Sequence, residues 1–244
     1  MLGLVGGATT GLAVVAGVAA AAYAAPSLVG WLPARFGVAP HLHGVGRRGH
    51  VAITFDDGPD PASTPAVLAA LDQLGWSATF FCLGEMTAAA PSLAAEVVAA
   101  GHEVGVHGYV HEGAIRRRPA ALADDVCRAR DVIAHAAGVV PQWYRPPFGE
   151  LSLGSWVAAS QAGLQLILWS AWGRDWRAEA TAESVVGDLR KGVLDGGTIL
   201  LHDSDCTSSP GSWRNTIAAL PLLAEHLDGL GLTVGRLCDH GLAA

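Results

Sequence analysis

Charge is scarce in this chain. Asp, Glu, Lys and Arg make up only 15% of its 244 residues, against 51% hydrophobic residues. Mean hydropathy is +0.35. So much apolar side chain collapses into a core, which excludes a disordered or solvating chain. Positive charge is the scarcer sign, with 15 Lys and Arg against 22 Asp and Glu and a net charge of −7. Nucleic acid, a polyanion, is therefore not an expected partner. Cys82, Cys127, Cys206 and Cys238 are the only cysteines, and they form no CxxC pair, which argues against a zinc ribbon. Cys82 lies in an apolar run and reads as a buried thiol. Cys206 and Cys238 are candidates for a disulfide if the domain is exported. Internal repeats and Gly-rich phosphate loops of standard spacing are both missing.

The first 34 residues carry no charged side chain, and Gly11 to Ala25 is continuously apolar. A run beyond about 18 such residues can cross a bilayer. Residues 1–34 are expected to form an apolar N-terminal helix, either a signal anchor or a signal peptide. An Ala/Gly-rich helix packed on the domain is the competing reading. Ala22-Tyr23-Ala24 fits a small-x-small cleavage site, although no basic region precedes it. Arg35, Arg47 and Arg48 follow the segment, and the positive-inside rule would then place the main domain in the cytoplasm. The free α-amine offsets part of that bias. The expectation is a membrane-anchored or exported protein whose main domain is extracytoplasmic. Residues 35–48 read as a linker, and His41, His43 and His50 as solvated. Beyond residue 48, 12 basic residues face 22 acidic ones, a net charge of −10. Such a domain suits neutral or cationic substrates.

From residue 49 to about 240, short apolar runs alternate with helical patterns. Strands are expected at Val51–Phe55, Ala78–Leu83, Glu103–Val106, Gln142–Tyr144, Leu164–Trp169, Thr198–Leu201 and Leu232–Leu237. Helices are expected at Pro65–Leu74, Ser92–Ala100, Ala120–Ala137, Ser155–Ala162, Ala182–Val193 and Thr216–Leu227. The long Ala120–Ala137 helix places Asp124, Asp125, Arg128 and Arg130 on its wet side. The alternation predicts an α/β fold with a parallel sheet, closed as a barrel or open.

Polar clusters follow most of these strands, at the edge where parallel α/β proteins build active sites. Asp56-Asp57-Gly58 follows the first strand. In extended backbone its two carboxylates point apart and can take different roles, although Asp-Gly-Pro is also good turn chemistry. His107 and His111 have the spacing of one helical face, which can chelate a divalent ion. Two His and one Asp leave a coordination position open for water, the pattern of a catalytic site. His202, beside Asp203, is a spare acid/base group. Cys206 and Asp205 read as turn residues. Trp169, Trp172 and Trp213 suit either sugar stacking or packing.

Together these residues resemble the polysaccharide deacetylase family, the carbohydrate esterases (family 4) that share the NodB homology domain. The resemblance spans about residues 49–237. Its five motifs occur in order: Thr54-Phe-Asp-Asp-Gly58, His107-x-x-x-His111, Arg145-Pro-Pro-Phe-Gly149, Asp175-Trp176 and Leu200-x-His202. The resemblance implies a distorted (β/α) barrel of about seven parallel strands. It implies that Asp57, His107 and His111 bind a divalent metal, Zn2+ first, with Co2+, Ni2+ or Fe2+ as alternatives. Asp56 would be the general base, held ionised by Arg145. His202 would be the general acid, oriented by Asp175. Trp176 and Leu200 would surround the acetyl methyl, and the Phe148 N–H would meet the oxyanion. The implied reaction removes N-acetyl groups from an N-acetylglucosamine-containing glycan, either chitin-like or peptidoglycan. An O-acetyl esterase, a small-amide hydrolase or a non-catalytic glycan-binding domain are the alternatives. Three positions depart from the family pattern: Gly108 replaces a Ser or Thr, Trp172 replaces an Asp, and Phe148 replaces a Tyr.

Overall fold

The computed structural model describes residues 5–29 and 35–242. Residues 1–4 and 30–34 of the apolar N-terminal segment lie outside the described residues. Its remainder forms α1 (Val5–Ala24) and α2 (Pro26–Val29), followed by α3 (Arg35–Val38). Among the described residues, no helix is long and apolar enough to cross a membrane. Val14, Val15 and Val18 of α1 are exposed. The end of the segment touches the domain. Tyr23 Oη donates to the Arg117 carbonyl at 2.9 Å, and Ser27 Oγ donates to the Leu151 carbonyl.

The rest alternates strand and helix. In order come β1 (His50–Asp56), α4 (Thr64–Leu74), β2 (Thr79–Cys82), α5 (Gly84–Ala89), α6 (Pro91–Ala99), β3 (Glu103–Val106), α7 (Pro119–Ala137), β4 (Trp143–Tyr144) and α8 (Leu153–Ala162). Then follow β5 (Gln165–Leu166), β6 (Ala171–Trp172), α9 (Ala182–Leu189), β7 (Thr198–His202), α10 (Trp213–Gly229) and β8 (Thr233–Gly235). Every strand pair is parallel, in the order β5-β4-β3-β2-β1-β7-β6, and β8 pairs the first half of β1.

The expected Leu164–Trp169 strand does not form as one piece. Only Gln165–Leu166 of it pairs, as β5; β6 (Ala171–Trp172) follows four residues later, and the two lie at opposite edges of the sheet. This pairing forces the sheet to curl. Seven flat strands would set their outer edges about 29 Å apart. The four residues between β5 and β6 allow at most about 18 Å between the flanking Cα atoms. The sheet therefore bends into an incomplete barrel, and the connection lies across the gap. Ile167 N–H donates to Tyr144 O, Leu168 N–H to Leu42 O, and Ser170 N–H to Thr198 O.

Strand alternation then separates two apolar layers. Val51, Ile53 and Phe55 point outward into the main core under the helices, with Leu71, Val126, Ile133 and Leu223. Ala52 points inward and joins Phe81, Trp143, Ile167 and Leu237 in a small plug. Thr54 and Asp56 have the same parity as Ala52, so the end of β1 aims a hydroxyl and a carboxylate into the barrel.

The segment read as a linker lies against the domain. Gly46 N–H donates to Gly196 O, Arg47 N–H to His240 O, and Thr198 Oγ1 to Gly44 O. His43 and His50, expected in solvent, are buried. His50 Nδ1 meets His240 Nδ1 at 2.8 Å under the barrel. All four cysteines are free, so the Cys206–Cys238 bridge does not form here. Cys82 is buried, as expected.

Truncating Ile133, which is fully buried on α7, should cost about 2–5 kcal/mol by denaturant unfolding. Val140→Ala, at an exposed position, should stay within about 0.5 kcal/mol of the parent.

Candidate active site

The carboxyl ends of the strands supply the polar groups. Asp56 is the last residue of β1 and Asp57 follows it with φ +82°. That left-handed conformation turns the Asp57 carboxylate back beside Asp56, where an extended backbone would send it away. His107 follows β3. The expected helical turn does not carry the two His residues. Residues 107–111 form an open bend, with Gly108 at φ +97°. A side chain there would be strained, and its Cβ would press on Val110 O and Asp125 Oδ2. This accounts for Gly where a hydroxyl residue is usual.

The bracing comes from elsewhere. Asp125 on α7, expected on the wet face, is buried and accepts the Tyr109 N–H at 2.8 Å. Its other oxygen pairs with Arg117 at 3.0 Å. Sequence periodicity could not show this, because the partner is a loop rather than a face of the helix.

Asp57 Oδ1 lies 3.4 Å from His107 Nε2 and 3.3 Å from His111 Nε2, and has no hydrogen-bond partner among the described residues. Bonds of about 2.0–2.1 Å at tetrahedral angles separate two ligand atoms by about 3.3–3.4 Å, so the spacing fits a divalent cation. The three donor atoms all lie within 4.8 Å of one another. The roles of the remaining atoms agree. His107 Nδ1 donates to the Arg145 carbonyl at 2.8 Å, which leaves Nε2 as the free lone pair. Thr207 Oγ1 donates to Asp57 Oδ2 at 2.6 Å and fixes the carboxylate plane.

Charge is balanced within this cluster. Burial pushes the Asp57 carboxyl up, but His107, His202 and His111 outweigh it and hold the group well below the usual carboxylate range. Burial, with His107 beside it, lowers the His111 pKa to about 4. Burial also opposes charge on His107, yet Asp56 and Asp57 raise its pKa, so a cation there competes with a proton.

Asp56 is the hinge between this cluster and the barrel. Arg145 Nη1 donates to Asp56 Oδ1 and to Thr54 Oγ1, both at 2.7 Å, while Nη2 donates to Leu168 O at 3.0 Å. The guanidinium lies 4.0 Å above the Phe81 ring and is fully buried. Asp56 Oδ2 is left 3.7 Å from His107 Nε2.

The opposite wall belongs to His202, at the end of β7. Its Nδ1 meets Asp175 Oδ1 at 2.8 Å, and Asp175 Oδ2 accepts the His202 N–H and Thr216 Oγ1. Burial alone would lower the His202 pKa, but Asp175 reverses this, and with Asp57 and Asp56 carries it up to about 10. Asp203, the sequence neighbour of His202, is used elsewhere. It accepts Gly58 N–H and Thr64 Oγ1 and holds the β1 turn. A Cβ on Gly58 would collide with that carboxylate. Burial lifts the Asp203 pKa to about 7, with Thr64 pulling the other way.

One cavity of about 310 Å3 is walled by Asp56, Asp57, His107, His111, Phe148, Trp176, Leu200 and His202. Arg145 and Asp175 stand directly behind it. All ten singled-out residues are thereby brought together. Trp169 and Trp172 also line it, and Trp213 does not. Trp172, where an Asp is usual, stacks on Trp176 at 4.6 Å, and Trp176 meets His202 edge-on. Phe148 has φ +59° and presents its ring to His111 at 4.3 Å. Thr207 and Ser208 complete the rim and carried no motif in the sequence.

Comparison with known proteins agrees with this geometry. The polysaccharide deacetylase family model matches residues 43–167. The chain is 34% identical over 195 residues to a chitooligosaccharide deacetylase of Bradyrhizobium sp. (strain ANU 289), covering 77% of this chain and 88% of the relative. It is 36% identical over 196 residues to a peptidoglycan-N-acetylglucosamine deacetylase of Bacillus cereus (strain ATCC 14579), covering 78% and 88%. Among solved structures, a family 4 carbohydrate esterase from Streptomyces lividans in complex with acetate superposes with a TM-score of 0.69 at 34% identity. That match covers 77% of this chain and 92% of the other.

Calorimetric titration with Zn2+ or Co2+ should give one site per chain, abolished in His107→Ala. Asp125→Ala should keep the site but weaken it by about 10–100-fold, because the loop carrying both His residues loses its brace.

Proposed function

The chain belongs to the polysaccharide deacetylase family, and we propose that it is a metal-dependent hydrolase that removes N-acetyl groups from N-acetylglucosamine-containing polysaccharide, releasing acetate. The observation that carries this reading is the single cavity that brings Asp56, the Asp57-His107-His111 cluster and the Asp175-paired His202 onto facing walls. The relatives named above act on chitooligosaccharide and peptidoglycan, which supports the same substrate class.

Asp57, His107 and His111 would hold the ion, with Zn2+ the best match to two imidazoles and one carboxylate; Co2+, Ni2+ and Fe2+ suit the same donors. A divalent ion held there supplies Lewis acidity, acidifying water and polarising a carbonyl. Asp56 takes the proton from the attacking water. Arg145 aims Asp56, since its guanidinium fork is fixed by three acceptors. His202 delivers a proton to the leaving amine, and Asp175 holds the ring turned and charged for that step. The Phe148 N–H stabilises the oxyanion, and Trp176 and Leu200 enclose the acetyl methyl. The same groups would hydrolyse an O-acetyl ester or a small amide. Comparing kcat/KM for N-acetyl glycans, acetylated xylan and small amides ranks these substrates.

The named wall polymer of the Bacillus relative supports an extracytoplasmic enzyme. The uncharged N-terminal segment, with its exposed valines, is proposed to deliver it there as an anchor or a signal peptide.

Acetate release from chitooligosaccharide or peptidoglycan fragments should stop with a chelator and return with added Zn2+ or Co2+. Asp56→Asn should lower kcat by about 10²–10⁴-fold, and undiminished release in that variant would sink the assignment of the base. The acid must be protonated, so kcat/KM falls as pH rises through the His202 pKa. Removing Asp175 removes what raises that pKa. The alkaline limb should therefore move to lower pH in Asp175→Asn, by about one unit or more.

A further inference from the structure

Asp56 and Asp57 both line the cavity beside His107 and His111, yet their carboxylates do not offer all their oxygens to an ion. Arg145 Nη1 takes Asp56 Oδ1, and Thr207 Oγ1 takes Asp57 Oδ2. Asp57 Oδ1 alone lies close to both imidazoles, at 3.4 and 3.3 Å from their Nε2 atoms. The cluster is thus arranged to present one carboxylate oxygen and two nitrogens. Among the described residues, Thr207 supplies the one side-chain hydroxyl bonded to a candidate ligand.

That hydroxyl carries a single proton and gives it to Oδ2 at 2.6 Å, a length usual for a bond to an ionised carboxylate. Thr207 itself is exposed, so its methyl supports no core. The residues before it set its place. Asp203 holds Gly58 and Thr64, and Ser204 Oγ donates to Asp60 Oδ2 at 3.3 Å and accepts the Cys206 N–H at 3.1 Å. Cys206 Sγ meets the Asp57 backbone carbonyl at 3.7 Å, so the thiol is engaged on the backbone rather than on the cluster. Residues 203–206 therefore lay the start of the loop along the turn after β1, and Thr207 reaches the carboxylate from there. The bond bears on which ion fits. Zn2+ and Co2+ are served by few donors at tetrahedral angles, whereas Mn2+ favours six, mostly oxygens. Carboxylates often serve such oxygen-seeking ions with both oxygens. To do so Asp57 must turn, and turning stretches the Thr207 bond.

We propose that Thr207 is a positioning residue that keeps Asp57 a one-oxygen ligand and thereby sets the preference of the site for Zn2+ or Co2+ over Mn2+. With Asp56 Oδ1 held by Arg145, the hydroxyl withdraws the remaining oxygen that an oxygen-seeking ion would recruit from Asp57. This rests on the metal-site reading above and adds the residue that selects the ion.

The test is calorimetric titration of the full chain with Zn2+ and, separately, with Mn2+. Thr207→Val keeps the shape of the side chain and removes its proton. Zn2+ binding should weaken by about 10–100-fold in that variant. Mn2+ binding should weaken less, so the ratio of Zn2+ to Mn2+ affinity falls. Thr207→Ser should restore both affinities. With Co2+ bound, the visible absorption of the parent and of Thr207→Ser should be that of a low coordination number, and Thr207→Val should shift to the weaker bands of a higher one. A Zn2+-to-Mn2+ ratio unchanged in Thr207→Val, or not restored by Thr207→Ser, overturns the proposal. Thermal melts without metal identify misfolding, and Thr207→Ala carries the same expectation if Thr207→Val does not fold. A parent that binds neither ion overturns the ligand set and the proposal together. Ion selectivity that depends on Thr207, without acetate release from any glycan, would fail the deacetylase reading and keep the role of Thr207.

Discussion

The Arg145 guanidinium is buried in the barrel with one carboxylate for company, and much of the site is arranged around that fact. A charge out of water must have its donors met, and here Asp56, Thr54 and the Leu168 carbonyl meet three of them. Those three acceptors come from β1 and from the connection between β5 and β6. The same residue offers its backbone carbonyl to His107, which sets the tautomer of a candidate metal ligand. Asp56 on one side and His107 on the other are thus placed by a single residue. The Phe81 ring beneath it separates this polar layer from the apolar plug.

The two walls of the cavity are built by the same logic in different materials. On the ligand side, Thr207 and Asp125 fix a carboxylate and a loop that carry no regular structure of their own. On the opposite wall, Asp175 meets the His202 ring with one oxygen and its backbone and Thr216 with the other. Asp57, Phe148 and Arg174 hold positive φ without being glycine; Asp57 and Phe148 line the cavity, and Arg174 lies beside Trp172 in its wall. Backbone strain has gathered where side chains must converge.

Much of this was legible in the chain. Strand ends such as Asp56 and His202 follow continuous apolar runs, so both the strand and its polar terminus could be placed by pattern. The parallel sheet followed from alternation. What stayed hidden depended on distant partners. Asp125 sits at a helix position that periodicity assigns to water, and only a loop bonded to it makes burial possible. His43 and His50 lie in a Gly- and Arg-rich stretch with linker composition, yet backbone bonds to Gly196 and His240 hold that stretch on the barrel. The Leu164–Trp169 run is apolar enough for one strand, but Ile167 and Ser170 bond to strands on opposite sides of the gap. Gly108 concealed the open bend, because His spacing alone cannot distinguish a helical turn from a chelating loop.

The connection between β5 and β6 has a consequence for how such a domain can diversify. It lies across the gap in the barrel wall, supplies the carbonyl that anchors Arg145 and carries Trp169 into the cavity. Lengthening it would let the seam part and take the anchor with it. Insertions that retune substrate length have freer ground in the loop between β7 and α10, which carries Thr207 and Ser208 on the rim and spans the opening without closing the sheet. The architecture thus separates a stretch whose length is fixed from one whose length is negotiable, though both face the same cavity.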